Sequence, residues 1–536
     1  MNGAKRIEEI EREIDEAFAS SRLLDIGYAQ SVWTLLSFNE DHYLKHLHEL
    51  GDEEMHVYSD IRLNALAYPL RVAFEGAKRS GDLLQNDLID RDYQLAWEWL
   101  EAAEDYAQFN SIFPLWHRKR IEIEACGDRL VIRNTHNSDR RYEAYNRLVR
   151  KEARKEAPVR GPSDKLMRLL IRRTTAGTDW FRVRFNRQLT ANLVEYVSPM
   201  MRSRYTLPNN WQFATFSLEE FRAVFMTIQA MMTGWHLAKS ALLQNGLAAL
   251  GYRTSVWVTK KDDLAKRLRL FTGINLEVVQ RILDILTLGS NGIRYPDIAT
   301  QPLVDLENEH FALAPFVWLN TNAERNLCAL LNQIPSERAQ YLSLVDEKEV
   351  ASREEAKKFL SPFRLAFAHG PVKGTNLDLA IIDHRNKVCL CLELKWFIEP
   401  AEIREVEDRT KELARGIGQA KVLQQLFDDR DRHFLEDVLK ITPDYSFFCA
   451  VGSVNWIGMG DVQDTDVPIV KVWHLLHRME ETKSLTAVVE WLRERCFLPR
   501  EGEDFSAVPM EIKCGRWKAT WYGIKPSKDG AVGPGE

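Results

Sequence analysis

Three charged residues stand inside apolar sequence. Asp378 lies in LDLAII (377–382), and Glu393 and Lys395 lie in VCLCLELKWF (388–397), with the polar stretch DHRNK (383–387) between them. Both runs are apolar enough to be buried strands, where a charge is costly unless it is paired, hydrogen-bonded or bound to metal. Strand side chains repeat every second residue, so Glu393 and Lys395 share a face. The polar connection has the length and composition of a hairpin turn. If Asp378 points to the same face, two carboxylates and an ammonium converge at one end of that hairpin. Carboxylates that close repel, and a hard divalent cation relieves the repulsion with the oxygen ligands it prefers. An ammonium beside them can hold a water or a phosphate. The grouping suits metal-assisted hydrolysis of a phosphodiester.

The elements that must position these residues are legible on both sides. A helix is expected over 336–360 and a strand in FRLAFAHG (363–370), followed by the two charged strands. Another helix is expected from Pro400 through ARGIGQAKVLQQLF, and a strand in YSFFCAVGSVNWIG (445–458). Asp378, fourteen residues, then Glu393-Leu394-Lys395, in that order of elements, resembles the PD-(D/E)XK nuclease superfamily with its restriction-endonuclease-like fold. The resemblance covers 336–475. It implies that Asp378, Glu393 and the carbonyl of Leu394 bind Mg²⁺, with Mn²⁺ able to substitute. Lys395 would orient the attacking water or stabilise charge on the phosphate.

The match has departures. The first motif is Leu377-Asp378, without the nominal proline of the family. A literal Pro296-Asp297 lies upstream of the first helix and is read as a turn. Some branches add a helical glutamine motif, for which Gln419 is the counterpart, a candidate for positioning substrate. The tyrosine expected four residues later is Leu423, and a solvent-facing Gln419 is the plainer reading. Some members also use an acid from the first helix. Glu347, Glu349, Glu354 and Glu355 all qualify, and the sequence does not choose among them.

The remainder of the 536 residues sets the frame. At about 150 residues per domain the length suggests three or four domains, and 45% hydrophobic with 28% charged residues is a globular composition. The expected class is α+β: a large, mainly helical N-terminal region followed by a restriction-endonuclease-like α/β domain with a central mixed sheet. Composition sets boundaries at 1–116 (helical), 117–205 (basic, mixed structure), 206–297 (helical), 298–500 (nuclease-like, led by a hairpin in PLVDLENEHFALAPFVWL) and 501–536 (an extension, disordered from about 525). Ile7, Ile10, Ile14 and Phe18 fall at helical spacing. Ser217 with Glu220 forms a capping box, and Asn275 caps a further helix. AVFMTIQAMMTGWHLAKSALL, interrupted by Gln229, His236 and Lys239, reads as a buried helix rather than a membrane span.

The net charge is -6, yet His117 to Arg204 holds 22 Lys and Arg against 10 Asp and Glu. Aromatic residues are interleaved there: Tyr142, Tyr145, Trp180, Phe181 and Phe185. Cations for phosphates and rings for bases both suit nucleic acid, and Arg172, Arg173, Arg182 and Arg184 are the candidate binding residues. The alternative is that these bases pair with the acidic remainder of the chain.

Other chemistry is thinly represented. Seven scattered cysteines lack a CxxC pair, which suggests a reducing cytoplasm, with Cys389 and Cys391 as small buried hydrophobes. His42, His46 and His48 include a helical i, i+4 pair without a third ligand and read as a solvated face. GxxxxGK[ST] and GxSxG are absent. The expectation is therefore a cytoplasmic, Mg²⁺-dependent nuclease acting on DNA, with the helical region sensing a trigger, binding a protein partner or self-associating, as suits prokaryotic defence or repair. Two rivals stay open: an RNase, and a non-enzymatic scaffold or nucleic-acid-binding protein in which the three charges form a structural ion pair.

Overall fold

The computed structural model describes residues 3–47, 49–79, 87, 89–134, 140–149, 161–178, 180–245, 254–397, 403–454 and 466–527. It is a mixed α and β protein, helical in its N-terminal part. The chain packs into two compact units, one made of 1–110, 154–341 and 513–516 and the other of 111–153, 342–512 and 517–536. These limits differ from those that composition suggests. The basic stretch 117–205 is divided between the units, and 298–341 belongs with the first.

In the first unit the helix Gly3–Ala19 buries Ile7, Ile10, Ile14 and Phe18, the stripe expected from their spacing. The central helix, Leu218–Gln244, starts at the Ser217/Glu220 capping box and buries Met226, Met231 and Met232. Its polar interruptions are explained by partners. Gln229 donates to the Trp318 carbonyl at 2.8 Å, and Lys239 pairs with Asp41 at 2.6 Å. Among the described residues no helix is long and apolar enough to cross a membrane. The expected hairpin forms as Leu303–Asp305 and His310–Leu313. Instead of leading the motif sheet, it pairs with Trp257–Lys260 in a three-stranded sheet of this unit, Trp257 opposite Leu313.

The second unit is built on a five-stranded sheet. Helix α1 (Pro335–Leu360) precedes strands β1 (Ala366–Val372), β2 (Thr375–Asp383) and β3 (Val388–Lys395), an antiparallel meander. Helix α2 (Ile403–Asp428) follows, then β4 (Ser446–Ser453) and β5 (Ile469–Lys471), each added in parallel, giving the order β5-β4-β3-β2-β1. Pro400 and 455–458, assigned above to a helix and a strand, lie outside the described residues. Central β3 is buried along both faces, as a strand covered on two sides must be. Leu413, Ile417, Ala420 and Leu423 of α2 join the core that covers it. Leu423, where the resemblance looks for a tyrosine, is fully buried.

The 501–536 extension is not a loose tail. Phe505–Cys514 and Trp517–Pro526 are strands of a four-stranded sheet with Ile121–Cys126 and Arg129–Asn134. They flank a turn at Gly515 (φ +55°), and Lys525 and Pro526 end the second strand; disorder expected further on falls on 528–536, outside the described residues.

Candidate active site

The three charged residues converge because of strand register. The β2–β3 ladder pairs Val388 with Asp383 and runs to Leu392 opposite Leu379. One step further Asp378 falls opposite Glu393, and directly opposed residues of an antiparallel pair share a face. The backbone ladder stops there, and the Asp378 carboxylate replaces a carbonyl: its Oδ2 accepts from the Leu394 N–H at 2.9 Å. The next outward donor on β3, the Trp396 N–H, bonds Glu349 Oε1 of α1 at 3.0 Å. Two carboxylates therefore finish the strand on either side of Lys395.

Glu393 lies beneath α2. Its side chain is 1% exposed, and a Cβ added at Gly416 would stand 3.5 Å from its Cγ. Lys395 Nζ donates to Glu393 Oε1 at 2.7 Å, whereas Oε2 is buried with no donor among the described residues aimed at it, and the Glu393 carboxyl also meets that of Asp378. Burial, followed by the charge of Asp378, pushes the Glu393 carboxyl up to about 7 despite Lys395. Glu349 is likewise pushed up to about 7, by burial first, with the Trp396 N–H and Lys395 opposing. Burial pulls the Lys395 ammonium down, but Glu393, Glu349 and Asp378 together outweigh it, and its pKa lies above the ordinary lysine value.

Of the four candidate glutamates of α1, Glu349 is thus the one that lies beside Lys395 and the end of β3. Glu347, Glu354 and Glu355 are exposed, and Glu354 is occupied by Lys357 and Arg353. The signal that could have found Glu349 is not on α1 at all: it is the orphan N–H where β3 ends. Gln419 is half-buried rather than solvent-facing, its Nε2 3.5 Å from Thr375 Oγ1 at the start of β2. That places it against the strand carrying Asp378.

Among the described residues no three His, Cys, Asp or Glu side chains are gathered into a preformed metal site. The acids present still fit a hard ion. Asp378, Glu393 and the Leu394 carbonyl make a partial oxygen shell of the kind that Mg²⁺ completes with water, and the bare Glu393 Oε2 is the atom such an ion would satisfy. The histidines supply no competing site. His42 Nδ1 bonds the Tyr58 hydroxyl, His46 Nδ1 bonds Glu49, and burial lowers His42 to about 4; His48 lies outside the described residues. No family model, no curated protein and no solved structure matches the chain.

The basic stretch splits in two. In the second unit four of its arginines pair with acids: Arg129 with Glu511, Arg133 with Glu124, Arg140 with Glu501 and Arg147 with Glu143. Tyr142 and Tyr145 are core residues there, not stacking surfaces, and Phe181 and Phe185 are buried in the first unit. Only Trp180 of the five aromatics is exposed. Arg172, Arg173, Arg182 and Arg184 belong to the first unit, at the end of the helix Asp164–Arg172 and along the hairpin Thr174–Ala176/Phe181–Val183. All four are exposed, and among the described residues none is bonded to a carboxylate.

Proposed function

We propose that the protein is a metal-dependent nuclease whose C-terminal unit is a restriction-endonuclease-like domain of the PD-(D/E)XK kind. One observation carries the reading: Glu393, buried beside Asp378 at the end of the meander, has one oxygen on Lys395 and otherwise meets, among the described residues, only the carboxyl of Asp378, a pair of acids that needs a proton or a cation between them. Two buried carboxyls in contact repel when both are ionised, a cost that a divalent cation between them relieves. The order helix, meander, helix, parallel strand supports the same reading, since it is the order that the resemblance implies.

Asp378, Glu393 and the Leu394 carbonyl would hold Mg²⁺ or Mn²⁺. The ion would supply activation of water and neutralisation of charge on the phosphate. The remaining work belongs to the chain. Lys395 stays protonated beside three acids, so its Nζ can donate to the attacking water or to a phosphate oxygen. Gln419 can orient substrate beside β2. The exposed arginines at 172, 173, 182 and 184 give the first unit a footing on phosphates. DNA is the proposed substrate, with the helical region sensing a trigger or engaging a partner in defence or repair. Seven free thiols suit a reducing, cytoplasmic setting.

Purified protein is incubated with plasmid DNA and a matched RNA, with Mg²⁺ or Mn²⁺, beside Asp378→Ala, Glu393→Ala and Lys395→Ala. Cleavage by wild type alone is the expected result. Equal background in all four supports the scaffold, and preference for RNA supports the RNase. Neutralising the four arginines should weaken binding and flatten its salt dependence by about one unit of slope for each arginine–phosphate pair broken.

A further inference from the structure

We propose that the first unit contains a separate site for an unpaired nucleotide, with its base stacked on Trp180 and its phosphates held by Arg182, Lys260 and Arg267. The proposal rests on the reading of this protein as one that acts on nucleic acid; it shares only Arg182 with that reading and has a cavity of its own. That cavity measures about 490 Å³ and lies between the hairpin Thr174–Ala176/Phe181–Val183 and the strand Trp257–Lys260. Its size falls within the roughly 300–1,000 Å³ of small-molecule sites.

The aromatic part is fixed in place. Trp180 is 42% exposed, yet it is seated on the hairpin's own backbone: a Cβ at Gly177 would fall 2.4 Å from Trp180 Nε1. The Gly177 N–H donates to the Trp180 carbonyl at 2.7 Å and closes the turn. Trp235 and Trp257 line the same cavity and stack on each other, ring centroids 5.9 Å apart and 27° from parallel, with Phe181 4.7 Å from Trp235. An exposed ring held this way loses little freedom when a base lies on it. Only a base released from its neighbours offers a face to such a ring, so the geometry favours an unpaired strand over a duplex.

The charge agrees. Arg182, Lys260 and Arg267 line the cavity against a single lining carboxylate, Asp263. Among the described residues none of the three cations is bonded to a carboxylate, and Arg267 lies 6.0 Å over the Trp257 ring. Their charge is available to phosphate.

The test is equilibrium binding of the full chain in EDTA, so that no cleavage intervenes. The probes are fluorescent oligo(dT) and oligo(U) of about 12 nucleotides, within the usual span of such sites, and a blunt DNA duplex of equal length. Unpaired strands should bind at least about tenfold tighter than duplex, and Trp180→Ala should erase about tenfold of that or more while sparing the duplex. Trp180→Phe should keep most of it, and Gly177→Ala, which displaces the indole, should mimic the alanine variant. Thermal melting confirms that each variant is folded. Binding of oligo(dT) alone identifies DNA, of oligo(U) alone RNA, and of both a sugar-indifferent site. Equal affinity for duplex, unchanged binding by folded Trp180→Ala, or displacement by polyglutamate as readily as by an oligonucleotide overturns the proposal. A protein that cuts plasmid yet shows no Trp180 effect sinks this inference and leaves the nuclease reading intact; the reverse result separates them the other way.

Discussion

Glu324 in the first unit and Glu393 in the second are equally hidden from solvent, and they are held in opposite ways. Glu324 is saturated. Its Oε2 accepts from the N–H groups of Thr206 and Leu207, and its Oε1 from Arg222, whose Nε stands at 2.8 Å. Arg222 in turn reaches Asn209 and the Leu207 carbonyl. Glu393 has one lysine on one oxygen, no donor on the other, and a second acid, Asp378, against it. Burial of charge is common to both, so burial alone does not mark a site. The second acid against Glu393 does, together with a carboxyl pushed up to about 7 by burial and by Asp378.

The contrast can be broken experimentally. Glu324→Ala leaves Arg222 buried and unpaired, and should cost about 3–5 kcal/mol of stability in urea denaturation. A loss below about 1 kcal/mol would show that the network is ornamental. Glu393 should behave in the reverse sense. Its folded pKa lies above the ordinary carboxyl value of 4.5, so the folded state holds the extra proton between those two points. Stability must then fall as pH rises from 4.5 through about 7, by on the order of 3 kcal/mol for this group. Glu393→Gln removes that slope: the variant should match wild type at about pH 4 and exceed it at about pH 8, and a variant less stable at the higher pH contradicts the assignment. The same substitution should lower metal-dependent cleavage by about a hundredfold or more, about 2.7 kcal/mol of barrier.

How much of this was legible in the sequence follows from the period of each element. In β3 the period of two put Glu393 and Lys395 on one face, and the short turn at 383–387 fixed the register that sets Asp378 opposite Glu393. The capping box at Ser217 and the stripe from Ile7 to Phe18 are equally local, and both stand. What local pattern could not reach was partnership at long range. Nothing in the sequence around Arg140 or Arg182 names a partner, yet the first meets Glu501, 361 residues on, and the second meets no carboxylate among the described residues. Tyr145 and Trp180 both sit among arginines, and only the three-dimensional packing buries one and exposes the other. The strands at 505–526 neighbour each other locally, but the strand that joins them to a sheet, Arg129–Asn134, lies nearly 400 residues upstream of its partner Trp517–Pro526 and escapes a local reading.

Glu349 is where the comparison can be made sharpest, because its bond to the backbone of β3 could be merely structural. It accepts the Trp396 N–H, as a cap would, and its carboxyl is also held up to about 7 beside Lys395 and Asp378. Two substitutions separate the roles. Glu349→Gln keeps an acceptor for the Trp396 N–H and removes the charge; Glu349→Ala removes both. If Glu349 is only a cap, the glutamine variant should cleave as wild type does, and the alanine variant should lose about 1 kcal/mol of stability. If its charge belongs to the site, the glutamine variant should remain as stable as wild type yet need about tenfold more Mg²⁺ for half-maximal cleavage, the lower end of what removing a metal site's supporting group costs. A Mg²⁺ titration of both variants decides it: coincident glutamine and wild-type curves would make Glu349 the second unit's counterpart of Glu324, a buried acid whose work is to hold backbone in place.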